Sequence, residues 1–247
     1  MQTIGKNSAA AELERIGESH LDHLQEQAVA VVLIGELMPK RLGVDELVRL
    51  GLLPEGHSAP VRVEVDRPDL ARFSSVGLTF DATPDRMVIT ARAEPFIRLM
   101  DMVRSAAEHM AHGDLHGMVF VYAFQFRVKD SRQQHILGRQ LAPLQAWGET
   151  AGLFESGSSS LDGGLASLTL QQAILDENPG ILKITVQPSH PAIPGIGVSM
   201  QMERSFARTD MSVNEEWYAQ SCIDRYDSTM RMCKGIAKRM MDHARSL

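Results

Sequence analysis

The chain reads as an α+β protein: a mainly antiparallel sheet of about seven strands with helices on one face, extended by amphipathic helices at its amino and carboxyl ends. Three observations carry this reading. Strand-like runs follow one another with hairpin-length links, whereas a doubly wound sheet would alternate them strictly with helices. Both ends show helical spacing of apolar residues on otherwise polar segments. The chain has 247 residues, 44% hydrophobic and 23% charged. That is enough for a sizeable core and too apolar for disorder as the main state. The natural division is an acidic helix over 1–27, an α+β core over 28–207 and an amphipathic helical segment over 208–247.

Ser8 to Gln27 carries Leu13, Ile16, Leu21 and Leu24 at helical spacing behind a Ser8 cap. Ala28 to Gly35 is a continuous apolar run rich in β-branched residues, which predicts a strand central in the sheet and buried on both faces. Pro39 ends it, and Val44, Leu47 and Val48 fit a short helix stopping at Gly51. Val61, Val63 and Val65 alternate with Arg62, Glu64 and Asp66, giving a half-buried strand closed by Pro68. Val76–Ala82 and Arg86–Ala91 form a hairpin around Thr83-Pro84-Asp85. Pro95 opens a helix with Phe96, Leu99, Met100, Val103, Ala107 and Met110 on one side, broken at Gly113. Met118–Val128 is the longest strand, with Phe124 and Phe126 out of phase with Val119, Val121 and Ala123.

A helix is expected from Ser131 to about Gln140, then strands over Leu165–Ile174, Ile181–Gln187 and Ile196–Phe206. The first two are separated by the turn Asp176-Glu-Asn-Pro-Gly180. Beyond them Ile223, Tyr226, Met230, Cys233, Ala237, Met240, Ala244 and Leu247 recur every three and four residues. This is a heptad stripe that would serve a coiled coil or a helix lying on the domain. Tyr226, Met230, Cys233, Ala237, Met240 and Ala244 are accordingly the candidate partner-binding residues. Ser221–Leu247 holds six basic and three acidic residues and Ser8–Gln27 five acidic and one basic, so the two terminal helices are electrostatically complementary.

Charge and cysteine content set the expected surroundings. Twenty-five basic residues against 31 acidic ones give a net charge of −6, which argues against nucleic acid or anionic lipid as the default partner. Cys222 and Cys233, on one expected helix and about 16 Å apart at 1.5 Å per residue, cannot bridge each other. With no amino-terminal basic segment leading into an apolar run and no stretch that would span a bilayer, a cytoplasmic protein is expected.

Five stretches resemble a family of uncharacterised bacterial proteins with a SecB-like α+β fold. They are Val31-Val-Leu-Ile-Gly-Glu-Leu-Met-Pro39 with Gly51-Leu-Leu, Thr83-Pro-Asp-Arg-Met-Val-Ile89, Tyr122-Ala-Phe-Gln-Phe126, Leu141-Ala-Pro143 with Trp147, and Val186-Gln-Pro-Ser189 with Pro194-Gly-Ile196. Their order and spacing cover roughly Ala28 to Phe206. The chain departs from the family pattern at Val121-Tyr-Ala123, where a Gly-Ile-Asn tripeptide is expected, and in lacking a phenylalanine after Gly35. The resemblance implies an architecture and a chaperone-like activity, and no reaction.

Chemistry-bearing groups are sparse. His109, His112 and His116 form the densest histidine cluster, but Gly113 should end the helix between them, and no spacing fixes a tetrahedral site. His⁺ at a helix carboxyl end is the ordinary reading. Gly157-Ser-Ser-Ser-Leu161 has no nucleophile elbow, and Asp162-Gly163-Gly164 is not followed by a phosphate-binding lysine. Cys233 falls on the apolar stripe, which suits packing better than catalysis. The expectation is a non-enzymatic protein-binding or assembly module without cofactor. It would be a homo-oligomer, a dimer above all, that also docks a protein partner through sheet edges and the carboxyl-terminal helix. A SecB-like holdase and a metal-dependent enzyme using His109 to His116 are the alternatives.

Overall fold

The computed structural model describes residues 24–37, 39, 44–49, 61–75, 77–92, 94, 96–110, 115–146, 148–149, 165–175, 179–189, 197–207 and 215–247. The β-branched run becomes β1 (Leu24–Gly35), and it is central as expected. Its neighbours are β5 (Arg86–Ala91) and β6 (Leu115–Arg127), both antiparallel to it. On one side a meander of β2 (Arg62–Arg67), β3 (Leu70–Ser75) and β4 (Leu78–Ala82) leads to β5. On the other, β6 pairs with β9 (Gly197–Ala207), which pairs with β8 (Gly180–Pro188), which pairs with β7 (Leu168–Ile174). The order across the sheet is β2-β3-β4-β5-β1-β6-β9-β8-β7, nine antiparallel strands among the described residues where about seven are expected.

The strand missed is β3. Pro68 and Asp69 do not end the structure; they form a two-residue turn, with Arg67 paired to Leu70, so the chain returns at once. Leu70-Ala-Arg-Phe-Ser-Ser75 has no β-branched residue, and its alternation of Ala71, Phe73 and Ser75 inward is carried by one large side chain. The expected amino-terminal helix is corrected at its end: Leu24 to Gln27 belong to β1, because Leu24 and Gln27 pair with Phe126 and Phe124 of the longer β6. The rest of that helix, residues 8–23, lies outside the described residues.

The helices are α1 (Val44–Arg49), α2 (Ile97–Met110), α3 (Ser131–Leu141), α4 (Glu215–Asp224) and α5 (Tyr226–Arg245). The Asp130 carboxylate caps α3 by accepting from the Gln133 N–H at 2.8 Å, which satisfies one of the donors a helix start leaves unpaired. Arg225 separates α4 from α5, so the expected single carboxyl-terminal helix is two, and Cys222 and Cys233 sit on different helices. α2, α4 and α5 lie over β5, β6 and β9, and α3 packs on α5. Beneath them Val29, Val31 and Leu33, Met87 and Ile89, Met118, Phe120, Tyr122, Phe124 and Phe126, and Met200 and Met202 form one apolar layer.

Candidate interaction surfaces

The stripe marked out as partner-binding is spent on the chain's own core. Tyr226, Met230, Cys233, Ala237 and Ala244 are buried, and Met240 is half-buried against the same cluster. Tyr226 meets Phe120 edge to face with ring centroids 5.5 Å apart, and Phe120 meets Phe206 in the same way at 5.4 Å. Such aromatic contacts, with the apolar area they remove from water, hold α5 down. Lys234 donates to Glu94 Oε1 at 2.8 Å, and Gln133 Nε2 donates to the Ala244 carbonyl at 2.7 Å. This helix therefore offers polar residues outward.

Two tyrosines at this interface are unequal to a third. The Tyr122 and Tyr226 hydroxyls are buried near one another without a well-formed hydrogen bond to any group, and burial raises both pKa values, that of Tyr226 to about 12. The Tyr218 hydroxyl donates to the Phe206 carbonyl at 2.8 Å. Removing an unsatisfied buried hydroxyl is close to neutral, whereas removing a satisfied one that leaves a carbonyl orphaned costs about 1–2 kcal/mol. Tyr226→Phe should therefore leave the melting temperature unchanged or raise it, while Tyr218→Phe lowers it; thermal denaturation of the two side by side is the check.

Arg204 is the charged group most enclosed by this layer. It projects from β9 beneath the helices, donates from Nη1 to the Ser205 carbonyl at 2.7 Å and lies 4.3 Å over the Phe206 ring. Gly180 makes room for it: a Cβ there would meet Arg204 Nη1 at 2.6 Å and clash with the Ser205 carbonyl. Cys222, whose thiol pKa is pushed up to about 12 by burial, is opposed in that shift by Tyr218 and by the Arg204 charge. Cys233 is pushed up to about 12 by burial alone. Both thiols are free, and at neutral pH both stay protonated, a state unsuited to nucleophilic attack.

Of the histidine cluster the structure describes only part. His109 stands in the last turn of α2, with its side chain outside the described residues, and His112 lies outside them entirely. His116 is exposed on β6. Among the described residues no three His, Cys, Asp or Glu side chains converge on a metal-sized site. Among the same residues no helix is long and apolar enough to cross a membrane.

The opposite side of the sheet differs. β1 is buried on one face, and on the other Ala28, Ala30 and Val32 are half-buried and Ile34 is 40% exposed, so the expected burial on both faces is corrected. The β6 phase follows from the same geometry. Phe124 and Phe126 continue the helix-covered set of Met118, Phe120 and Tyr122, while Val119, Val121 and Ala123 point the other way. Register places Val119, Val32 and Val88 side by side across three strands, between Ser205 on one flank and Asp81 on the other. Polar networks border this apolar centre: Lys183 with Glu203 at 3.3 Å, Gln201 donating to Glu203 at 2.8 Å, and Arg72 donating to Asp81 at 2.6 Å.

The two outer strands contrast just as sharply. β2 carries Arg62, Glu64, Asp66 and Arg67, and a register shift between Val63 and Val65 kinks it. Charge and bulge are the devices by which natural sheets keep an edge from pairing. On β7, Thr169 to Ala173 are all exposed, with Leu170 at 58%, and Leu165 to Leu175 contains no charged residue. The sequence marked this segment as a strand, over Leu165–Ile174, but not as a site; the signal was the run Gly163–Leu175, thirteen successive residues without a charge. Compared with models of protein families and with curated proteins, the chain matches none.

Proposed function

We propose that the protein is a non-enzymatic binding and assembly module of the cytoplasm that self-associates and docks a protein partner. The observation that carries this is the side of the sheet opposite the helix layer, where no described helix covers the half-buried Val32, Val88 and Val119. A row of three adjacent valines at its centre, with ion pairs and amides on both flanks, has the apolar-core and polar-rim arrangement of protein interfaces. The carboxyl-terminal stripe drops out of the reading, since α5 already uses it. Val119→Lys combined with Val32→Glu should abolish the association that runs through this face and leave the covered core intact. Light scattering on the size-exclusion peak, with circular dichroism as the control for folding, is the measurement. If the wild-type chain is monomeric from micromolar to hundreds of micromolar and the double variant behaves identically, the reading is lost.

A second reading, a holdase of the kind that the SecB-like resemblance implies, is favoured by the same face. An apolar strip three strands wide could take an extended unfolded segment, with its polar flanks meeting that segment's backbone. It requires suppression of client aggregation at stoichiometric ratio, and absence of that activity with several unrelated clients ends it.

A further inference from the structure

We infer that β7 is a pairing edge for a second copy of this chain, joined antiparallel to its own counterpart so that two nine-stranded sheets become one. The inference rests on the reading of the protein as an assembly module but uses a different surface from the valine face. Three observations converge on a second copy as the occupant.

The first is the asymmetry of the edges. β2 is guarded by four charges and a bulge, whereas β7 has neither charge nor proline nor register shift along its pairing with β8. With no described strand on its outer side, this edge of seven residues, about 23 Å long, presents a row of backbone donors and acceptors with the geometry of a strand template. The second is self-compatibility. Two-fold pairing through Gln171 sets Leu168 opposite Ile174 and Thr169 opposite Ala173, and pairing through Leu170 sets Thr169 opposite Gln171; neither brings like charges together. The same operation on β2 would set Glu64 against itself or against Asp66. Each chain carries a net charge of −6, so a charge-free segment is where two copies meet at least electrostatic cost.

The third is the absence of side-chain selectivity at this edge. Recognition of a foreign strand draws affinity from main-chain bonds and specificity from pockets for alternate side chains. Both faces of β7 are exposed from Thr169 to Ala173, so the helix layer forms no such pocket there. Leu175, 89% exposed at the end of the strand, adds apolar area that a second copy would cover. The pairing is isologous and consumes both β7 edges, leaving a guarded β2 at each end of the joined sheet. The assembly therefore closes at two copies and does not grow into a fibre.

The test uses the full chain in two arms. Subunit number is followed by light scattering from micromolar to hundreds of micromolar for the wild type, for Leu170→Lys with Gln172→Lys, and for Val119→Lys with Val32→Glu. Separately, Leu170→Cys, Gln171→Cys and Gln172→Cys are oxidised and run without reductant, with Val63→Cys on β2 as the control. Cys222 and Cys233 are buried and contribute little background. The expected result is a concentration-dependent dimer, lost in the Leu170/Gln172 variant at unchanged melting temperature, and covalent dimer from at least one β7 cysteine but not from Val63→Cys. A dimer indifferent to the β7 lysines, with no β7 cross-link, overturns the edge pairing and leaves the assembly reading standing. A monomer at every concentration overturns both the edge pairing and self-association.

Discussion

Ala237→Asp should cost about 4 kcal/mol of folding stability and lower the melting temperature by about 8–16 °C, the range for a chain of this size. Ala237 has no exposed surface, and it faces inward from the middle of α5, between Cys233 and Met241, both also buried. A carboxylate there must either ionise without a partner in an apolar layer or take up a proton, and both routes are expensive. Met240→Asp, one turn along on a half-buried flank, should cost clearly less, and Arg239→Asp on the exposed side very little. Thermal denaturation at several protein concentrations makes the comparison decisive. A loss independent of concentration means that α5 stabilises its own chain; a loss that vanishes on dilution would make the stripe an intermolecular contact, contrary to its burial here.

Stability should also fall steeply in alkali. Four acids are clustered at the interface of α4 and α5 with the sheet: Cys222, Cys233 and Tyr226 with pKa values pushed up to about 12, and Tyr122 with its pKa raised further, burial being the largest cause in each. In the unfolded chain a thiol loses its proton near 8.5 and a phenol near 10. Below about pH 8 neither state ionises and these groups have no effect. Above that the unfolded state releases protons that the folded state keeps, so stability declines with pH by up to about 1.4 kcal/mol per unit for each group. The two thiols together remove about 4 kcal/mol by roughly pH 10, with the phenols adding to the slope beyond. Chemical denaturation at successive pH values from neutral to strongly alkaline gives the curve. Cys222→Ala with Cys233→Ala should flatten its first part, and an unchanged slope in that variant would remove the thiols as its cause.

The sheet centre and the helices were legible because their signals are local and redundant. A β-branched run gave β1, Thr83-Pro84-Asp85 gave the β4–β5 turn, and Pro95 and the heptad spacing gave α2 and α5. β3 was not legible, because Phe73 alone carries its inward alternation and the Pro68-Asp69 turn looks like a terminus when its partner strand is unseen. The phase of β6 was obscured for the opposite reason: both its faces are apolar, so periodicity cannot say which is covered until the helices are placed. The heptad stripe was legible as an apolar face but was assigned to a partner, whereas the chain's own sheet covers it; a stripe records only that something covers it. What distinguishes the guarded edge from the bare one was written in the charges of β2 and the lack of them in β7, but strand order has to be known before a strand can be recognised as an edge.

The place of β1 in the sheet has a consequence for synthesis. Its two hydrogen-bonding neighbours, β5 and β6, begin at Arg86 and Leu115, so the strand at the middle of the structure is made before every other described strand and cannot be flanked on both sides until Arg127 has left the ribosome. At about 5–20 residues per second, the translation of roughly 90 intervening residues takes on the order of 5–20 seconds. During the first part of that interval Ala28-Val-Ala-Val-Val-Leu-Ile34, uncharged and strongly β-prone, is without either native neighbour, and after the β4–β5 hairpin has closed by local contacts it still lacks β6. The nascent chain thus passes through a stage in which an uncharged, β-prone segment waits for its second partner. Slowed elongation between Arg86 and Arg127 should lengthen that wait and reduce the soluble yield.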